Sequence, residues 1–253
     1  MNKPIRTSPA VGITGVVGSN GAGKTHYLRE LAQNPQSALG QAAGDMHYFG
    51  RSPKQHFSAL STGWTDMDES HAAELLDFPV TTPWRKLSVG QRQMVINAGV
   101  FASNKSELLL DEPFNGLDAS HRNQLKDLLR TRCEEFPDHK FVVTSQHASD
   151  LEGLVDFIIP LRNFTVDEPI DVEMLRLKHP VITAESSQIE AFTSNLTILR
   201  KQKLGQTTRV VLAHALTSEQ TTSAHEQGLE VTYLNAGELI EIAGENHHPE
   251  EQQ

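Results

Sequence analysis

The sequence predicts an α/β fold built on a mostly parallel sheet, followed by a small α/β appendage. Two observations predict it. A Gly-rich turn at 18–25 joins an apolar stretch, Val11 to Val17, to a segment of helical spacing, His26 to Gln33, which reads as strand, loop, helix. Further on, Leu108 to Leu110, Phe141 to Val143 and Phe157 to Ile159 are short unalternating apolar runs, separated by polar or helix-like stretches near 119–135 and 148–155. Continuous apolar runs between helices suit parallel strands buried on both faces.

The elements follow in order. From Ser52 to Lys86 the composition shifts to Ser, Thr, Asp, Pro and Trp, with helical spacing around 55–60 and 70–77. This reads as an inserted, mostly helical lobe. With the helix-like stretch Met94 to Ala102, for which Ser88 is a plausible cap, the lobe covers about 52–103. After Arg162 the texture changes again. Ser187 with Glu190, Thr217 with Gln220 and Asn235 with Glu238 each place a capping residue three positions before an acid or amide, so three helix starts are expected. Val181-Ile182, Thr197 to Leu199, Arg209 to Ala213 and Val231 to Leu234 are the strand candidates between them. The expected domains are 1–165 and an appendage at 166–253, whose tail, with His247 and His248, is expected to be frayed.

Composition narrows the class. A chain of 253 residues with 38% hydrophobic residues can bury a sizeable core, and 17 Gly, 12 Pro and one cysteine exclude collagen-like, low-complexity and disulfide-scaffold proteins. Cys133 has no internal partner, which fits a reducing compartment. No run approaches the ~18 apolar residues that cross a bilayer, and the first residues lack the apolar core of a signal peptide, so a cytoplasmic protein is expected. The net charge of −10 argues against nucleic acid as a partner. Residues 166–253 hold 14 acidic against 6 basic residues, so −8 of the charge belongs to the appendage and the rest of the chain is nearly neutral.

Three segments carry chemistry. Gly18, Ser19, Asn20, Gly21, Ala22, Gly23, Lys24 and Thr25 match GxxxxGK[ST] between a strand and a helix, the setting that this phosphate-binding loop requires. Glycines let the backbone N–H groups wrap phosphate oxygens at the helix N-terminus. Lys24 would reach the β- and γ-phosphates, and the Thr25 hydroxyl would ligate Mg²⁺. The run Glu107 to Leu110 ends in Asp111 and Glu112, which puts two carboxylates at the same sheet edge. Asp111 suits the magnesium shell, directly or through water, and Glu112 suits activation of an attacking water. The third segment, Leu87-Ser-Val-Gly-Gln91, precedes the helix at 94–102.

In that order, with Asn115-Gly-Leu-Asp118 and Thr144-Ser-Gln-His147, these motifs closely resemble the nucleotide-binding subunit of ATP-binding cassette (ABC) ATPases over about residues 11–160. The resemblance implies a P-loop NTPase fold with a helical signature subdomain and an antiparallel β subdomain, here reduced. It implies ATP and Mg²⁺, and a head-to-tail dimer, homodimeric or with a second ATPase subunit, that sandwiches two ATP molecules. Ser88, Gly90 and Gln91 would meet the γ-phosphate bound by the partner, Asp118 would lie at the dimer contact, and His147 would sense the γ-phosphate and hold the water with Glu112. Catalysis would rest on Glu112, His147 and Lys24.

Two departures stand out. Only ten residues precede Val11 and no aromatic residue precedes Tyr27, so adenine stacking is expected to be absent or supplied from elsewhere. The stretch Tyr48 to Pro53 resembles the loop that normally ends in a magnesium- and permease-contacting Gln, but position 51 is Arg and Gln55 lies nearby, leaving that role open. The 64-residue interval from Lys24 to Ser88 is short for the family. The appendage weakly resembles those on ATPase subunits of bacterial exporters for drugs, lantibiotics or other peptides, through Leu175-Arg-Leu, the helix at Ile189 and Leu234 to Glu238. The expected function is therefore an ATPase subunit driving a separate membrane permease, exporter-like, peripheral on the inner face of the cell membrane. The alternatives are a soluble ABC ATPase of translation or DNA repair, and a slow nucleotide-binding regulator.

Overall fold

The structure is a computed structural model that describes residues 7–245, in two compact units dividing between Pro169 and Ile170. The expected frayed tail at 247–253 lies outside the described residues.

In the first unit the strands are β1 (Gly12–Val17), β2 (Ser37–Gly40), β3 (Glu107–Leu110), β4 (Lys140–Thr144), β5 (Phe157–Arg162) and β6 (Thr165–Val166). The helices are α1 (Lys24–Leu31), α2 (Pro53–Gly63), α3 (Glu69–Glu74), α4 (Val89–Phe101), α5 (Ala119–Glu135) and α6 (Ala148–Leu151). Strand order is β2-β3-β4-β1-β5-β6, parallel throughout except that β6 returns antiparallel to β5. Tyr27 and Leu28 of α1 pack with Val16, Leu109, Val142 and Ile159 from four neighbouring strands, so the helix is anchored on the sheet by its apolar face. The register pairs Val16 with Thr144 and Leu110 with Val143. Parallel strands in this register end together, which brings the segments after β1, β3 and β4 to one edge.

The helical lobe has its own core of Phe57, Met67, Ala72, Leu87, Val95, Ala98 and Ala102, flanked by Trp64 and Trp84. Local chemistry fixes its ends: Pro53 opens α2, and the Asp68 carboxylate caps α3 by accepting from Ser70 and His71 N–H. β2 was not expected from the sequence. Its four residues Ser37-Ala-Leu-Gly40 carry too few large side chains to announce a strand, and pairing with β3 creates it.

The second unit contains a four-stranded antiparallel sheet in the order β11 (Glu230–Thr232), β8 (Val181–Glu185), β10 (Thr207–Leu212), β9 (Ile198–Leu204). The short β7 (Ile170–Asp171) leads into α7 (Val172–Lys178), and α8 (Ser186–Phe192), α9 (Ser218–Glu226) and α10 (Ala236–Glu245) follow. Ile182, Ile189, Val210, Leu212, Ala224 and Leu229 form its core. Thr217 and Gln220 form the capping box expected of α9, and Asn235 and Glu238 exchange the equivalent bonds. The Ser187 cap is corrected: α8 begins at Ser186, so Ser187 lies inside the helix, and Glu185 at the cap makes no capping side-chain bond. Ser186 Oγ instead bonds Thr208 Oγ1 on β10 at 2.8 Å, so tertiary pairing sets this helix start.

Candidate functional site

The loop after β1 turns tightly because Gly21 and Gly23 adopt φ of 80° and 110°, in the left-handed region. Gly18 has a different reason to be glycine: a Cβ there would collide with the Leu161 carbonyl oxygen of β5. Lys24 is buried, and its Nζ donates to the Gly18 carbonyl at 2.8 Å and to that of Ser19 at 3.4 Å, so the ammonium is held inside the curve of the loop. Thr25 Oγ1 donates to Asp111 Oδ2 at 2.7 Å, joining the loop to the end of β3. Thr144 Oγ1 at the end of β4 donates to Asp111 Oδ1 at 2.8 Å and accepts from Glu112 N–H at 2.9 Å. Three strand ends are thereby tied together.

Glu112 has φ of 49°, a left-handed conformation that side chains rarely adopt and that tends to persist where function requires it. Its Oε2 accepts from Gln146 N–H at 3.2 Å. Burial pushes its carboxyl above the usual range, while the Gln146 bond and the Lys24 charge act in the opposite sense. A group so placed can hold or take a proton nearer to neutral pH than a solvated carboxylate.

Lys24, Thr25, Asp111 and Glu112 line one cleft of about 590 Å³, with Asn20, Gly21 and Gly23. The cleft also recruits His26, Arg29, Ala42, Asp45, Asn115, Gln146 and Phe164, to which the motifs assigned no role. Asp45 and Ala42 reach it through β2, so their arrival depends on a strand that the sequence does not announce. Several other expected site residues do not line the cleft. His147 is exposed, one position beyond Gln146, at the N-cap position of α6 but without a capping side-chain bond. Ser88 and Gln91 close a capping box on α4, and Asp118 caps α5 by accepting from His121 N–H at 3.0 Å. Gly90 lies directly against the Gly116 carbonyl. Arg51 and Gln55 are also outside the cleft, and the Gln55 amide oxygen accepts from Arg51 N–H at 2.6 Å.

One connection was invisible in the motifs. Buried Gln93 accepts from Ala43 N–H at 2.8 Å and donates to Asn97 Oδ1 at 3.2 Å, and Asn97 donates to the Pro113 carbonyl at 3.0 Å. Helix α4 is therefore bonded both to the segment after β2 and to the loop that carries Glu112.

A hydroxyl and a carboxylate in contact form a hard oxygen donor pair, which suits Mg²⁺, an ion that keeps several waters and takes one or two protein ligands plus phosphate. Among the described residues no group of three or more His, Cys, Asp and Glu could hold a metal unaided. The glycine cradle and enclosed lysine suit the phosphate chain itself. Fold and loop together define the class, a P-loop α/β domain.

Comparison with known proteins narrows the class. Residues 7–115 match the family model described as ABC transporter. The chain is 26% identical over 188 residues to the ABC transporter ATP-binding protein YtrB of Bacillus subtilis, covering 65% of this chain and 64% of that protein. It is 31% identical over 127 residues to the cytochrome c biogenesis ATP-binding export protein CcmA of Hyphomonas neptunium, covering 44% and 65%. The chain thus spans just under two thirds of the length of these relatives. It is also 25% identical over 227 residues to the petrobactin import ATP-binding protein YclP of Bacillus subtilis, covering 72% and 89%. A solved ATP-binding subunit of an ABC transporter superposes with a TM-score of 0.55 at 16% identity, covering 66% of this chain and 81% of that one, and shares the fold. No helix among the described residues is long and apolar enough to cross a membrane.

Proposed function

We propose that the protein binds and hydrolyses ATP as the nucleotide-binding subunit of a transporter, two ATPase subunits closing head to tail around the nucleotide to drive a separate membrane permease. The observation that carries this reading is the convergence of Lys24, Thr25, Asp111 and Glu112 in one cleft. Lys24 neutralises the β- and γ-phosphates, and the loop amides from Gly18 to Thr25 hold them. Thr25 and Asp111 would hold Mg²⁺, which when bound neutralises charge on the phosphate chain. Glu112 orients the attacking water and takes its proton. His147 lies on the same sheet edge and is proposed to close on the γ-phosphate when the dimer forms. Ser88, Gly90, Gln91 and Asp118 lie outside the subunit's own cleft, as residues that serve the partner's nucleotide would.

The exporter expectation rests on the texture of the appendage alone. Relatives named for import and for export align comparably, so the proposal is a transport ATPase irrespective of direction.

The test is Mg²⁺-dependent ATP hydrolysis by the wild type and by Glu112→Gln. Loss of water activation is expected to lower the rate at least ~10²-fold. The variant should also accumulate an ATP-dependent dimer on size exclusion. Equal rates would remove Glu112 as the base, and a monomer insensitive to ATP would contradict the sandwich. Gentle membrane extraction should co-purify an integral membrane protein, and recovery only from soluble fractions would contradict the permease partnership.

A further inference from the structure

Phe164 is 61% exposed and stands on the wall of the cleft, in the turn between β5 and β6. The ladder pairs Leu161 with Val166 and Arg162 with Thr165, so Asn163 and Phe164 alone form the hairpin loop. Both have positive φ, 46° and 62°. A two-residue loop with two left-handed residues favours Asn followed by Gly. Here the glycine position carries a large apolar ring, in a backbone conformation that such residues rarely adopt.

The turn is fastened to the phosphate loop. Phe164 N–H donates to the Ala22 carbonyl at 2.8 Å. The ring lies over Gly23, where an added Cβ would come within 2.7 Å of Cδ1, and meets the His26 ring edge-on at 5.9 Å. An exposed aromatic in a strained turn, built against the first residues of α1, has no evident part in packing the unit's core. Strain held beside a binding cleft points to a ligand contact. The phosphates occupy the curve of the loop around Lys24, so the remainder of a nucleotide must extend along its outer wall, and there Phe164 supplies a π-face. Every nucleobase has a π-face to match it.

We propose that Phe164 is the stacking platform for the base of the bound nucleotide, presented by the strained turn after β5. This inference rests on the ATP reading above and adds to it the residue that contacts the base.

The experiment uses the whole chain and calorimetric titration with two probes, ATP and inorganic tripolyphosphate, each with Mg²⁺. Phe164→Gly removes the ring and suits the left-handed backbone, so the turn is retained, while Phe164→Trp keeps a π-face. Base stacking of ordinary strength corresponds to an affinity loss of about 5- to 150-fold for ATP in the Gly variant. Tripolyphosphate affinity should stay within about twofold, and Phe164→Trp should bind ATP within about threefold of wild type. Unchanged ATP affinity in Phe164→Gly, or an equal loss for tripolyphosphate, overturns the base-stacking role while leaving the ATP reading intact. Failure of the wild type to bind ATP overturns both.

Discussion

Thr25 Oγ1 donates to Asp111 Oδ2 while Thr144 Oγ1 donates to the other oxygen of the same carboxylate, so Asp111 is held from the phosphate loop on one side and from β4 on the other. Its orientation is therefore fixed before any ion arrives. Asp111→Asn should retain the fold but lose most of the magnesium dependence of ATP binding, measured by titrating Mg²⁺ at fixed ATP. Undiminished Mg²⁺ dependence would place the ion elsewhere.

Thr144 is the more exacting structural test. Its buried hydroxyl serves both Asp111 and Glu112 N–H. Thr144→Val is nearly isosteric but takes this partner from Asp111 Oδ1 and the Glu112 N–H, so stability should fall by about 1–3 kcal/mol. Denaturant midpoints would measure it, and a change under ~0.5 kcal/mol would mean that water or a shifted backbone replaces the lost bonds.

The Glu112 carboxyl is raised by burial, which sets the acid limb of any hydrolysis it assists. A base works when ionised, so the rate should fall as pH drops through its raised value, above the range of ordinary carboxylates. A profile of maximal rate against pH, flat down to the ordinary carboxylate range, would contradict the assignment.

The bonds through Gln93 and Asn97 predict action at a distance from the nucleotide. Asn97→Leu removes the donor to the Pro113 carbonyl, beside Glu112. Hydrolysis should fall more than ATP affinity does, because Asn97 supports the loop that carries Glu112 and lines no part of the cleft itself. Asn97→Asp keeps an acceptor for Gln93 and loses the donor, so it should share the defect. Proportional loss of both properties would indicate simple unfolding.

His56 in the helical lobe is fully buried, its Nδ1 accepting from Phe49 N–H at 3.2 Å, and Nε2 has no partner among the described residues. Burial, with a smaller effect of His47, lowers its pKa from 6.5 to about 4. The unfolded chain then binds the extra proton, so this contribution is present above pH 6.5 and is lost as pH falls towards about 4. At ~1.4 kcal/mol per pH unit, the full effect is at most on the order of 3–4 kcal/mol. His56→Leu should flatten the fall in melting temperature across that window, and parallel slopes would rule His56 out as the cause.

Legibility in the sequence followed distance along the chain. The phosphate loop, the carboxylates after β3 and the Ser88 capping box are each determined by neighbours within a few residues, and short motifs suffice to read them. β2, and through it Asp45, exists because Ser37–Gly40 pairs with β3, whose first residue is seventy positions further on. Phe164 and Gln93 escaped for the same reason: each acquires its place from a partner that folding brings up, Gly23 for one and Ala43 for the other. The Ser187 cap failed because Thr208 on another strand competes for that helix start.

The helical lobe carries both tryptophans of the chain, Trp64 closing α2 and Trp84 packed at a tilt against Tyr48, with ring centroids 4.4 Å apart. Indole emission from the wild-type protein is consequently an intrinsic optical reporter of that lobe alone. Any shift in its wavelength or intensity on adding a ligand to the cleft records the lobe's response without a label.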